Sequence, residues 1–97
     1  MPLERRRSKL EVYLEVLEII KSGTDKPTRI MYGANLSWIP LMKILTSMVS
    51  QGLVTEIEAG DRRDKRTTKT YRITQKGVNV LQYFSRAKEL LSLEEIA

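Results

Sequence analysis

The stretch from Ser37 to Thr74, SWIPLMKILTSMVSQGLVTEIEAGDRRDKRTTKTYRIT, changes its hydrophobic period midway, and that change decides the fold. Up to Gln51 the apolar residues recur at helical intervals. Trp38, Leu41, Leu45, Met48 and Val49 share one face of a helical wheel. Lys43, Thr46, Ser47 and Ser50 share the other, with Ile39 and Pro40 at its edge. Ser37 is placed to cap this helix. Pro40 falls in the first turn, where backbone N–H groups lack intrahelical partners, and Gly52 stops the helix. From Leu53 to Glu58 apolar and polar residues alternate, as in a strand. Lys69 to Thr74 reads as a second strand, with Tyr71 and Ile73 on one face. The polar, Gly-containing segment Ala59 to Thr68 joins them into a β-hairpin whose loop is too long for a tight turn.

Working outward toward the N-terminus, Thr28 is placed to cap a short helix running to about Tyr32, with Ile30 and Met31 facing inward. Gly33, Ala34 and Asn35 break it, and Asn tolerates the left-handed backbone that a turn needs. Earlier still, Ser8 and Glu11 have the spacing of a capping box. Behind them Leu10, Leu14 and Leu17, with Val12, Val16, Ile19 and Ile20, predict a helix over Lys9–Lys21 that Gly23 ends. Met1 to Arg7 reads as a flexible basic arm. Toward the C-terminus, Thr74 is placed to cap a helix from Gln75 to about Leu91. Its apolar residues fill two stripes, Gly77, Leu81, Phe84 and Leu91, and Val80, Tyr83, Ala87 and Leu90. One stripe has the domain to pack on; the other has a partner chain to meet, or the two form one wide face lying on the first helix.

The chain of 97 residues has room for one compact domain. Its 17 Lys and Arg against 12 Asp and Glu give a net charge of +5, which favours polyanionic partners: DNA, RNA or an acidic membrane surface. Cysteine and histidine are both absent, which removes disulfides, zinc fingers, thiol redox sensing and the Ser-His-Asp and Cys-His forms of catalysis. No apolar run approaches the ~18 residues of a membrane span. The basic start has no apolar segment behind it, so it does not read as a signal peptide. The expectation is a cytoplasmic, nucleoid-associated protein without metal or cofactor.

The order helix, short helix, helix, strand, charged hairpin, strand, helix is an α+β, mainly helical arrangement: a winged helix-turn-helix of three helices and a β-hairpin wing, followed by a C-terminal dimerisation helix. Residues 1–7 form the arm, 8–74 the winged-helix domain and 75–97 the dimerisation segment. In such a motif the second helix enters the major groove and the first crosses the backbone. From Ser37 to Leu53 there is no acidic residue, so the third helix meets no repulsion at a phosphate backbone. Ser37, Lys43, Thr46, Ser47 and Ser50 are the candidate DNA contacts there, with Arg29 on the preceding helix. On the hairpin the candidates are Arg62, Arg63, Lys65, Arg66 and Lys69, tempered by Asp61 and Asp64. Lys43 is a point charge without the bidentate geometry of Arg, so sequence specificity is expected to be limited. Val80, Tyr83, Phe84, Ala87, Leu90 and Leu91 are the candidate dimer contacts. Tyr32 and Trp38 read as partly buried anchors. No catalytic constellation is present; the rival reading is a winged-helix interaction adaptor that does not bind DNA.

The segment Thr28 to Ser37, TRIMYGANLS, resembles the helix-turn-helix of the archaeal ten-kilodalton DNA-binding proteins, which join a winged helix to a C-terminal antiparallel coiled coil. Ser8-Lys9-Leu10-Glu11 and Tyr71-Arg72-Ile73-Thr74-Gln75-Lys76-Gly77 fit the same pattern, and the likeness spans about Ser8 to Phe84. The resemblance implies a homodimeric, chromatin-associated or regulatory protein that turns its third helix and wing to double-stranded DNA. It places Lys43 at a basic position of the recognition helix and Trp38 at an aromatic one near its start. Two departures stand out. The last helix is shorter than that family's coiled-coil arm, which favours a compact helix-pair dimer, and the hairpin loop is longer and more charged.

Overall fold

The computed structural model describes residues 7–60 and 67–91. The elements are α1 (Lys9–Lys21), α2 (Pro27–Ala34), α3 (Trp38–Ser50), β1 (Val54–Gly60), β2 (Thr67–Ile73) and α4 (Gln75–Leu90). The strands pair antiparallel with Val54 opposite Ile73, Glu56 opposite Tyr71 and Gly60 opposite Thr67. Both strands reach further toward the hairpin tip than the alternation of apolar residues predicts. Backbone pairing carries them through Ala59 and Thr68, where side-chain pattern gives no signal.

The start of α1 follows the expected chemistry. Ser8 Oγ accepts from the Glu11 N–H at 3.1 Å, and Glu11 Oε1 accepts from the Ser8 N–H at 3.0 Å. The bond from the Ser8 N–H, and then the Ser8 hydroxyl beside the carboxylate, favour its charged form and hold the Glu11 pKa below its ordinary value. Of the expected arm, residues 1–6 lie outside the described residues, and Arg7 is held by the fold. Its guanidinium forms an ion pair with Glu15 and donates to the Ala34 carbonyl at 2.7 Å, supplying a partner for the C-terminal end of α2.

The start of α2 is a correction. Lys26, not Thr28, is the N-cap residue, and Pro27 occupies the first helical position. A proline there loses no helical hydrogen bond and arrives with its φ already set. Asn35 then closes the helix in the left-handed region, at φ 55° and ψ 49°, and turns the chain into α3. Ser37 stands at the N-cap of α3 as expected, but its side chain makes no capping hydrogen bond.

Val16, Leu17 and Ile20 of α1, Ile30 and Ala34 of α2, and Leu41, Leu45 and Met48 of α3 form the core with Leu53, Val54, Tyr71 and Leu81. The Tyr71 N–H reaches across to the Asp25 carbonyl at 3.0 Å, which ties the α1–α2 loop to the free edge of β2. At the hairpin's base Thr74 caps α4 by accepting from the Gly77 N–H at 3.1 Å. Gly77 lies so close to the backbone of Leu53 that a Cβ there would overlap the Leu53 carbonyl oxygen and stand 2.6 Å from Ile73 Cγ1. Among the described residues no helix is long and apolar enough to cross a membrane.

Candidate nucleic-acid interface

The outward side of α3 begins with its helical phase. Leu41, Leu45 and Met48 are buried, so the residues rotated away from them, Ile39, Lys43, Thr46 and Ser50, are exposed. Ser37 is exposed just before the helix. Ser47 does not join this face. Four residues advance a helix by about 40° more than one turn, which turns Ser47 from Lys43 toward α1. There its hydroxyl lies 3.0 Å from the Tyr13 hydroxyl and accepts from Gln51 Nε2 at 2.9 Å. Gln51 Nε2 also donates to the Tyr13 hydroxyl at 2.9 Å. The three side chains fix the C-terminal half of α3 against α1, and the Ser47 hydroxyl is occupied within the fold.

Of the two aromatic residues expected as partly buried anchors, Trp38 is partly buried and Tyr32 is not. Tyr32 is 77% exposed on α2. Trp38 is 46% exposed: as the first residue of α3 it extends past the end of the core that Leu41 begins. It stands between two shallow clefts. One, of about 400 Å³, is lined by Trp38, Ile39, Met42, Lys43 and Thr46. The other, of about 370 Å³, includes Lys26, Thr28, Trp38, Met42, Thr68 and Lys69. Because Trp38 and Met42 border both, the start of α2, the exposed side of α3 and the outer part of β2 form one continuous surface.

Its centre carries no acidic residue. From Lys26 through Thr55 the chain contains no Asp or Glu, a longer acid-free run than the third helix alone. Lys26, Lys43 and Lys69 stand around the surface, and Arg29 is exposed on α2 with no ion pair among the described residues. Acidic residues border it at the hairpin and before α2: Glu58 lies opposite Lys69 across the strands, Asp25 precedes Lys26, and Glu56 is paired within the fold. Glu56 Oε1 lies 3.9 Å from Lys69 Nζ, and its Oε2 accepts from the Tyr71 hydroxyl at 2.8 Å. Arg62, Arg63, Lys65 and Arg66 lie outside the described residues.

Sequence reasoning missed Lys26, Thr28, Met42 and Thr68 as surface-lining groups. A signal for the first two was available: Pro27 is best placed at a first helical position, which starts α2 at Lys26 and turns Thr28 from a cap into a helix residue. Met42 and Thr68 carried no such signal, because their exposure depends on how α3 sits against the hairpin.

On α4, Gly77 and Leu81 are buried and Phe84 is half-buried, facing Leu10, Leu14 and Ile19 of α1 across a groove of about 530 Å³. Val80 and Ala87 are half-buried. Tyr83 is 78% exposed and Leu90 75% exposed, and Leu91 beyond the helix end is also exposed.

The family model for winged helix-turn-helix proteins matches residues 6–92. The chain belongs to the winged helix-turn-helix family. Its fold is a winged helix, with four helices and a two-stranded hairpin among the described residues. An uncharacterized protein of Methanocaldococcus jannaschii, MJ0287, is 45% identical over 49 residues, a segment that spans 50% of each chain. Among solved structures, Sso10a-2, a DNA-binding protein from Sulfolobus solfataricus, superposes with a TM-score of 0.67 at 23% identity, covering 92% of this chain and 90% of that one. ZitR of Lactococcus lactis, a zinc-responsive MarR family member, gives 0.66 at 19% identity, over 99% of this chain and 66% of its own. Streptococcus pneumoniae FabT in complex with DNA gives 0.65 at 16% identity, over 94% of this winged helix and 64% of FabT. At these identities the likeness is one of fold.

Proposed function

We propose that this winged helix binds duplex DNA, with α3 in the major groove and the hairpin against flanking phosphates, as a regulator or chromatin-associated protein of the cytoplasm. The observation that carries the reading is the continuous surface formed by the acid-free span from Lys26 to Thr55 together with Lys69. Such a surface meets a phosphate backbone without repulsion, and α3 stands at its centre, where a helix-turn-helix presents its reading element. The same fold in a protein solved with DNA and in one described as DNA-binding supports it. Lys26, Arg29, Lys43 and Lys69 are the proposed phosphate contacts, with Ser37, Thr46 and Ser50 as hydrogen-bonding neighbours. Arg62, Arg63, Lys65 and Arg66 of the hairpin add charge that does not distinguish sequences.

Binding of a fluorescent duplex followed over a range of salt concentrations tests this. The expected log–log slope is about −0.9 per phosphate contact. Replacing Lys26, Lys43 and Lys69 by Ala lowers affinity for every duplex and flattens the slope by about one per lysine. Absence of binding even at low salt would overturn the reading and leave an interaction adaptor in its place.

A further inference from the structure

We infer that the N-terminal part of α3 reads the C5-methyl group of pyrimidines, thymine above all, instead of the hydrogen-bonding pattern of base edges. The inference rests on the DNA-binding reading and specifies what that surface recognises. In a helix-turn-helix the residues that meet base edges come from the beginning of the second helix. Here those residues are Trp38, Ile39, Met42 and Lys43. Ile39 is 67% exposed, the most exposed large apolar side chain on α3, and shares a cleft with Trp38, Met42, Lys43 and Thr46.

An apolar group pressed against a base edge has one favourable target. The major-groove edges of adenine, guanine and cytosine present nitrogen and oxygen groups, whereas thymine adds a methyl. Covering the polar atoms with Ile39 would remove their water and return nothing. Covering a methyl removes apolar surface from water on both sides of the contact, a gain of about fourfold in affinity per buried methyl. Charge identifies the occupant as a polyanion: the apolar strip is flanked by Lys43 on its own helix and Lys26 and Lys69 across Trp38, with no acidic residue from Lys26 to Thr55. A second copy of this chain, itself carrying a net charge of +5, has no such match.

The experiment compares duplexes that differ only at C5. Alternating dA·dT is set against dA·dU, which loses the methyl, and dI·dC against its 5-methylcytosine form, which gains it. Wild-type protein is expected to bind the methylated member of each pair more tightly, by about fourfold for each contacted methyl. The salt slope should be equal within each pair, because the phosphates are unchanged. Ile39→Ser is expected to bring the two members together while its circular dichroism and Tm stay those of the wild type. Equal affinity of the wild type for both members overturns methyl reading and leaves DNA binding standing. Ile39→Ser keeping the full ratio overturns the assignment to this strip. Failure to bind any duplex at low salt removes the DNA-binding reading and this inference with it.

Discussion

Tyr71 shows how much one residue position joins. Its ring is part of the core, its N–H holds the α1–α2 loop through Asp25, and its hydroxyl donates to Glu56 on the neighbouring strand. Burial, then the bond to Glu56 and its charge, disfavour the phenolate and push the Tyr71 pKa from 10.0 up to about 12. The folded state therefore keeps a proton that the unfolded chain releases first. The stability this contributes is complete below pH 10 and is lost as pH rises toward about 12. Tyr71→Phe should lower stability near neutral pH by about 1 kcal/mol. It should also remove the alkaline loss, so that the gap between wild type and variant is constant below pH 10 and narrows as pH rises toward about 12 in urea titrations. A gap that stays constant across that rise would show that the hydroxyl does not titrate with folding. Some of this is readable in the sequence: alternation in β2 puts Tyr71 on one face with Ile73. The partner of its hydroxyl is not, since Glu56 becomes its neighbour only through strand register.

At the scale of elements, local chemistry set most boundaries. The Ser8–Glu11 box, Pro27, Asn35 and Thr74 each mark a helix end by a group that satisfies, or never needed, a terminal backbone bond. Thr74 does this at the junction of wing and α4. Its hydroxyl accepts from the Gly77 N–H and lies 2.6 Å from the Gly52 carbonyl oxygen and 2.9 Å from that of Leu53. Thr74→Ala removes the cap and the tie to the end of the α3–β1 loop together. The expected cost is about 1–2 kcal/mol in urea denaturation. Thr74→Ser, which keeps the hydroxyl, should recover most of it; a serine variant as unstable as the alanine one would assign the effect to the methyl. The helical wheel also placed Lys43, Thr46 and Ser50 on the open side of α3. It misplaced Ser47, because a position about 40° from the exposed centre is free or covered according to what packs alongside. Here the neighbour is Tyr13 of α1.

For the whole molecule, the apolar side chains of α4 bear on how many chains act together. Leu81 and Phe84 turn toward the domain, while Tyr83, Leu90 and Leu91 remain largely in water. Exposed apolar side chains on one helix are what a second copy would cover. A homodimer through Val80, Tyr83, Phe84, Ala87, Leu90 and Leu91 is the proposed arrangement, and it would present two α3 helices to one duplex. Light scattering at tens of micromolar should give twice the chain mass of 11.2 kDa, and Tyr83→Asp with Leu90→Asp should return the monomer. A monomer mass for the unaltered protein would rule the arrangement out.

The sequence by itself determined the order of helices and strands, most of their ends, the inward residues of α1 and α3, and the positive balance of charge. Each of these depends on neighbours within a few positions along the chain: a period of 3.6 or 2, a cap, or a count of side chains. The tertiary structure decided the surface. Whether Trp38 lay in the core or beside Lys69, whether Arg7 was free or bound to α2, and whether Ser47 faced water or Tyr13 all depended on distant segments. The wing supplies Thr68 and Lys69 to that surface. The apolar start of α3 supplies the proposed reading element, and only packing brings the two together.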